Sequence, residues 1–355
     1  MPLKSIGVGV IGTGFGVRVQ IPVWSKTPGA RVVAVCSHDP ARAKAVADRF
    51  DIPHAVTDYR ALAQLPDVDL VSVATPPYLH HPATMAAIEA GKHVLCEKPF
   101  ALDEAQALEM LEAARAKGVI HLLNFEFRTD PARQEMRRRV RQGFIGDLAH
   151  LHVTSFGDFV RATEGRTARW WYEAKSGGGW LGASGSHTID TLRFVFGEIV
   201  GVGAQLETVI KEHRVLKAEG TMTAEVDDTF FFLFRFASGA LGAFLSGAAI
   251  AAGGGVQRIE AYGTEGTLVL DGDRLLAARK GERSLEQVPL PAPELASGTV
   301  DPHYVPMGTW TRQIVDAVSD GRQIAPDFED GWRSQQVIDA VRRSAAEGRW
   351  IDIAA

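Results

Sequence analysis

The stretch Ile6-Gly7-Val8-Gly9-Val10-Ile11-Gly12-Thr13-Gly14-Phe15-Gly16-Val17 decides how the rest of the chain is read. Residues 6–11 are apolar or small throughout, as in a parallel strand covered by helices on both faces. The glycines that follow permit a tight turn and let backbone N–H groups approach a pyrophosphate at the N-terminus of the next helix. Such a motif gains weight from its setting, and here a strand precedes it and a helix follows at the start of a βαβ unit. Gly12, Thr13, Gly14, Phe15 and Gly16 are therefore the expected dinucleotide cradle. One position departs from the GxGxxG pattern, because Val17 stands where glycine or alanine normally packs the helix closely, with Gly16 one place earlier.

Working outward, residues 6–123 alternate short β-branched runs with helical stretches, the pattern of parallel strands joined by crossover helices. The predicted strands are 6–11, 31–36, 70–74, 93–96 and 119–123. Asp39 and Pro40 supply an N-cap and a first-turn proline for a helix over 41–50, and Pro82 opens a helix that ends at Gly91. Asp103 with Gln106 reads as a capping box, and Gly118 closes that helix. After Asn124 the pattern changes. A basic amphipathic helix is predicted over 131–142, a strand from about 149, hairpin pairs 229–236/240–245 and 258–262/267–270, and helices near 307–320 and 331–347. Periodicity gives no reading between Asp158 and Lys175. The expected fold class is α/β: an N-terminal Rossmann domain over 1–123, and an α+β domain with a large open antiparallel sheet over 124–355.

The bulk composition narrows the function. Of 355 residues, 46% are hydrophobic and 23% charged, and the formal net charge of -5 offers no basic excess for nucleic acid. A small-molecule partner is expected. The only cysteines, Cys36 and Cys96, lie in apolar runs that read as buried strands, so a reduced, cytoplasmic protein is expected. Neither a signal-peptide core nor an apolar run long enough to span a bilayer is present, so no membrane partner is expected.

Dinucleotide choice turns on the end of the second strand, where an acidic residue would hold the ribose 2′-OH of NAD. The chain reads Cys36-Ser37-His38-Asp39 there. Ser37 in place of the acid removes the repulsion against a 2′-phosphate, and His38 and Arg42 can bind that phosphate, Arg42 through its planar donor fork. NADP is the expected cofactor. NAD stays open through Asp39, although the helix N-cap competes for that carboxylate.

Three further segments occur in order: Ala74-Thr75-Pro76-Pro77-Tyr78-Leu79-His80, then Glu97-Lys98-Pro99, then Gly177-Gly178-Gly179-Trp180-Leu181 ahead of Gly185-Ser186-His187-Thr188-Ile189-Asp190. Together they resemble the Gfo/Idh/MocA family of glucose-fructose oxidoreductases and inositol dehydrogenases, over nearly the whole chain. The resemblance implies that Thr75, Pro76 and Pro77, with His80 closing that segment, line the dinucleotide. It implies that Glu97 and Lys98 lie beside the nicotinamide ribose, and that the large sheet carries the interface of a homodimer or homotetramer. It also implies the reaction, an NAD(P)-dependent hydride exchange at a secondary alcohol or ketone of a sugar, inositol or related polyol.

The chemistry of Lys98 stands beside the resemblance. A lysine at the carboxyl end of a parallel strand, fixed by a proline and partly desolvated by a bound ring, can polarise a carbonyl or relay its proton. His187 is the second candidate, since removing hydride from an alcohol needs a base near neutral pH. In the family this histidine follows an aspartate by one helical turn, but here Ala183 holds that position. The loss leaves the imidazole without its orienting carboxylate unless another acid, such as Asp190, serves. Arg128, Trp171 and Tyr172 are expected to bind substrate, the aromatic faces suiting the apolar sides of sugar rings. His80 and His81 lack a carboxylate or cysteine pattern beside them, so no metal is expected. Two alternatives remain: glycoside cleavage through transient oxidation by a retained NAD, and a non-catalytic NAD(P)- and sugar-binding sensor. Ala183 keeps the sensor open, and the presence of both Lys98 and His187 argues against it.

Overall fold

Six parallel strands, β1 (Ile6–Ile11), β2 (Ala30–Cys36), β3 (His54–Val56), β4 (Leu70–Val73), β5 (His93–Cys96) and β6 (His121–Leu123), form one sheet in the order β3-β2-β1-β4-β5-β6. The computed structural model describes residues 5–160, 169–214, 220–291 and 301–354. Every residue of β1 and β4 is buried, as the continuous apolar runs require of strands covered on both faces. Between the strands run α1 (Ile21–Trp24), α2 (Pro40–Phe50), α3 (Tyr59–Ala63), α4 (His80–Glu89) and α5 (Glu104–Lys117). The caps act as their residue types dictate. Asp39 accepts from the amides of Ala41 and Arg42 at 2.9 and 3.2 Å, Asp103 accepts from Gln106 N–H at 2.9 Å, and Gly118 closes α5 at φ 70°. The edge strand β3 has no counterpart among the predicted strands, because three residues are too few to show a period.

The sheet changes direction at β1, which has β2 on one side and β4 on the other. In such sheets ligands bind in the crevice beyond the carboxyl ends of the strands flanking that point. The glycine loop, the Thr75 segment, Glu97-Lys98-Pro99 and Asn124 follow directly on β1, β4, β5 and β6.

The second compact unit contains α6 (Pro131–Arg141), β7 (Leu148–Phe156) and α7 (Ser186–Phe196), followed by strands β8 (Ile199–Glu207) to β16 (Glu286–Gln287). β9 (Glu212–Arg214) and β10 (Thr221–Thr223) pair antiparallel in a small separate sheet. The main strands are β11 (Thr229–Phe236), β12 (Leu241–Gly247), β13 (Arg258–Gly263), β14 (Gly266–Asp271) and β15 (Arg274–Arg279). With β17 (Ile351–Asp352) they order as β16-β15-β14-β13-β7-β12-β11-β8-β17 among the described residues. Both predicted hairpins, β11/β12 and β13/β14, are antiparallel. The sheet as a whole is mixed, correcting the expected antiparallel sheet: β7 pairs parallel with β12, from Leu241 opposite His150 to Gly247 opposite Phe156. β7 enters between the two hairpins, and a side-chain period of two is the same for either direction of pairing. One face carries the core, in which Phe230, Phe232, Phe234, Phe236 and Phe244 are buried.

The chain then returns. α8 (Tyr304–Asp320) and the start of α9 (Phe328–Glu347) belong to the first compact unit, which comprises Met1–Thr129 and Pro293–Gln335. α8 places Met307, Trp310, Ile314 and Val315 in one core cluster with Val8, Val10 and Trp24, and Phe328 packs on Phe100 with ring centroids 4.6 Å apart. Packing thus groups α8 and the start of α9 with the parallel sheet, whereas a boundary after 123 assigns everything downstream to one domain; linear order does not show which core a returning helix joins. Cys36 and Cys96 are buried and unbridged. Among the described residues no helix is long and apolar enough to cross a membrane.

Candidate active site

The glycines after β1 have three different reasons to be glycine. Gly12 sits at φ 112°, and a Cβ there would lie 2.3 Å from the Ala74 carbonyl oxygen. Gly16 packs against β1, where a Cβ would meet Val10 Cγ1 at 3.1 Å and Ala74 Cβ at 3.6 Å. It therefore takes the close helix–strand contact normally given to the third glycine, which accounts for Val17. A Cβ on Gly14 would meet no described atom within 4 Å, so packing does not demand this glycine, whereas the approach of a ligand to the backbone would. Nearby, Thr75 Oγ1 is buried without a hydrogen-bond partner among the described residues. Open backbone, an unused hydroxyl and a helix start fit a dinucleotide.

After Gly16 the chain makes a π turn, Gly16–Gln20, before continuing as α1. The wider turn carries Gln20 inward to full burial. Ser72 Oγ donates to Gln20 Oε1 at 2.8 Å, Gln20 Nε2 donates to Glu97 Oε1 at 2.7 Å, and Asn124 Nδ2 donates to the same oxygen at 2.7 Å. The Lys98 amide donates to Glu97 Oε2 at 3.3 Å, so this network holds the turn that carries the candidate lysine. Burial pushes Glu97 up to about 7, and the neighbouring Glu126 carboxylate adds to the rise, while Lys98 and the two amide donors oppose it. His80 joins the two loops from below: its Nδ1 lies 2.8 Å from the Pro99 carbonyl oxygen and its Nε2 2.9 Å from that of Thr75. Burial lowers the His80 pKa.

At the end of β2, Ser37 is buried with its Oγ 3.5 Å from Thr13 Oγ1. Arg42 donates to the Thr13 carbonyl at 2.8 Å, which brings its guanidinium to the glycine loop. His38 is exposed beside it. Asp39 is engaged as the N-cap of α2 through Oδ1.

In the second unit, His187 is the second residue of α7 and nearly buried, and Asp190 on the same helix is buried. Ala183 lies in a π turn, Leu181–Gly185, that leads into α7. The glycines before it are tightly placed: a Cβ on Gly178 would meet the Trp171 carbonyl at 2.4 Å, and one on Gly179 would meet Asp227 Oδ1 at 2.6 Å. Asp227 accepts from the Leu181 amide at 2.7 Å, and burial pushes its pKa up to about 6. Trp171 stacks on Trp170 at 4.8 Å and Tyr172 on His213 at 4.0 Å, and both help line a small aromatic pocket with Phe159, Trp180, Asp227 and Asp228. Arg128, in the first unit, binds Asp330 with two hydrogen bonds of 3.0 and 2.7 Å.

One close pair lies outside every sequence motif. His303 Nδ1 lies 2.5 Å from Glu126 Oε1, joining residues 177 positions apart; neither belongs to a motif, and no spacing pattern connects them.

Comparison with known proteins accounts for these features together. Residues 6–125 match the family described as "Oxidoreductase family, NAD-binding Rossmann fold", and residues 133–269 match the "GFO/IDH/MocA C-terminal domain". An uncharacterized oxidoreductase of Synechocystis sp. is 31% identical over 98% of this chain and 96% of its own length. Levoglucosan dehydrogenase of Pseudarthrobacter phenanthrenivorans is 28% identical over 99% of each chain. A solved levoglucosan dehydrogenase in complex with NADH and levoglucosan superposes with a TM-score of 0.89 at 26% identity, covering 99% of this chain and 100% of the other. With the switch-point glycine loop and the Glu97-Lys98-Pro99 turn on one sheet edge, the chain belongs to the Gfo/Idh/MocA oxidoreductase family.

Proposed function

We propose that this oxidoreductase exchanges a hydride with a secondary alcohol or ketone of a sugar or related polyol, preferring NADP to NAD. The observation that carries the reading is the convergence of the glycine loop, the Thr75 segment and the hydrogen-bonded Glu97–Lys98 turn at the carboxyl edge of the parallel sheet. Gly12, Thr13, Gly14, Phe15, Gly16, Thr75, Pro76, Pro77, His80 and Glu97 would hold the dinucleotide. When bound, it supplies the hydride acceptor or donor at C4 of its nicotinamide. Lys98 polarises the reacting oxygen, His187 is one candidate for the proton transfer, and Arg128, Trp171 and Tyr172 contribute to substrate binding. The sugar class is supported by relatives named levoglucosan dehydrogenase and D-apiose dehydrogenase.

The NADP preference rests on Ser37 in place of an acid, on Arg42 held at the glycine loop and on Asp39 engaged as a cap. Titration with NADPH and NADH tests it, with tighter NADPH binding expected and a clear preference for NADH contradicting it. Incubation with a panel of sugars and polyols tests the reaction: a ketone and reduced nicotinamide should form in equal amounts, and their absence across the panel opposes the reading.

The protein is further proposed to act in the cytoplasm as a homodimer. Two buried thiols without a bridge suit a reducing compartment. On the sheet face opposite the phenylalanine core, the register aligns Phe231 with Leu245 and Leu233 with Ala243, and Leu233 and Leu241 are 59% and 57% exposed. Apolar surface of this kind marks an interface. Light scattering of Leu233→Asp should report a monomer where the parent chain reports a dimer.

A further inference from the structure

We propose that Glu126 and His303 form an acid/base dyad of this active site, Glu126 fixing the tautomer of His303 so that its Nε2 takes the proton of the substrate hydroxyl. The inference rests on the hydride-exchange reading above. Glu126 is fully buried, and its Oε1 faces His303 Nδ1 at 2.5 Å. A carboxylate there accepts from Nδ1–H and leaves the lone pair on Nε2, the arrangement that makes a neutral imidazole a base. The other oxygen, Glu126 Oε2, is buried without a hydrogen-bond partner among the described residues, an uncommon cost for a carboxylate with only a structural part to play.

The position suits the chemistry. His303 stands edge-on to Phe15 of the glycine loop, with ring centroids 5.2 Å apart, and lies against Phe127 at 5.1 Å. Three contacts fix its backbone over the helix that follows the loop: Arg18 pairs with Asp301 at 3.1 Å, Tyr304 Oη donates to the Arg18 carbonyl at 3.0 Å, and the His303 amide donates to Asp301 at 3.1 Å. Glu126 follows two residues after Asn124, whose amide donates to Glu97 at 2.7 Å, and its carboxylate adds to the raised pKa of Glu97, which puts the dyad beside the turn that carries Lys98. The imidazole is also partly open, its side chain 19% exposed against 1% for Glu126. The dyad thus supplies an imidazole with its own carboxylate in a chain where position 183, four residues before His187, is an alanine.

In alcohol oxidation the substrate C–H bond would break with its hydrogen and both electrons passing together, as hydride, to C4 of the oxidised nicotinamide. The O–H bond breaks with its proton passing to His303 Nε2, the carbon–oxygen bond becomes a double bond, and the imidazolium later returns the proton to water. Reduction runs the same steps backwards.

Two readouts test the dyad. In the free protein, ¹⁵N NMR of the histidine rings, with the His303 signals assigned by their loss in His303→Gln, should show the Nδ1–H tautomer, and Glu126→Leu should abolish that preference. In turnover on the best panel substrate, His303→Ala should lower kcat by roughly 10²-fold or more with little change in KM or NADPH affinity, and added imidazole should restore part of it. NADPH affinity also verifies that each variant is folded. An Nε2–H tautomer in the parent chain, or an undiminished kcat in His303→Ala, overturns the dyad while leaving hydride exchange intact. If the parent chain turns over no substrate in the panel, the hydride-exchange reading fails and the dyad's catalytic role fails with it.

Discussion

Along the carboxyl edge of the parallel sheet, Ser72, Gln20, Glu97 and Asn124 form one buried chain of hydrogen bonds around the turn that bears Lys98, while at the start of α7 the residue four before His187 is an alanine. The first region fixes its candidate side chain through charge and hydrogen bonding. The second carries its histidine on a helix, α7, that is buried along nearly its whole length. The unit with the glycine loop also holds the Glu126–His303 pair.

The contrast breaks most severely if the chain of hydrogen bonds loses its centre. Glu97→Leu leaves the Gln20 and Asn124 amides buried without their acceptor, which should cost about 2–5 kcal/mol, read as a lower denaturation midpoint. Next comes the adenosine end, where Ser37→Asp should shift the ratio of NADPH to NADH affinity toward NADH by roughly tenfold or more, measured by fluorescence titration. A milder change at the centre, Glu97→Gln, keeps an acceptor for both amides and sharpens the electrostatic part of the account. Glu97 is held at about 7 in the folded chain against an ordinary 4.5. Between those values the folded chain keeps a proton that the unfolded chain releases, so the parent's stability falls as pH rises through that window. Denaturant unfolding at a series of pH values should show a shallower fall for Glu97→Gln. The smallest effect is expected in the other region: Ala183→Asp should change kcat by less than about tenfold, since the proton has a route through His303.

The parts of this arrangement that were legible in the sequence are those whose causes are local. Gly12 is explained by its own φ and by Ala74, Asp39 by the two amides it caps, and Ser37 and Arg42 by the loop they adjoin. Lys98 was legible because a short tripeptide ends a strand. The rest depends on where the chain returns. Gln20 reads as one more helical residue until a π turn brings it inward, and Glu126 meets His303 only because α8 comes back to the parallel sheet. Likewise β7 pairs parallel with β12 for a reason set by topology, which alternation along a strand does not record.

Hydride exchange depends above all on Lys98 at the sheet edge, and single-turnover reduction of NADP by Lys98→Ala on the best panel substrate measures that dependence. Hydride transfer should slow by roughly 10²–10⁴-fold with NADPH affinity changed by less than a few-fold. Transfer at the parent rate would contradict it.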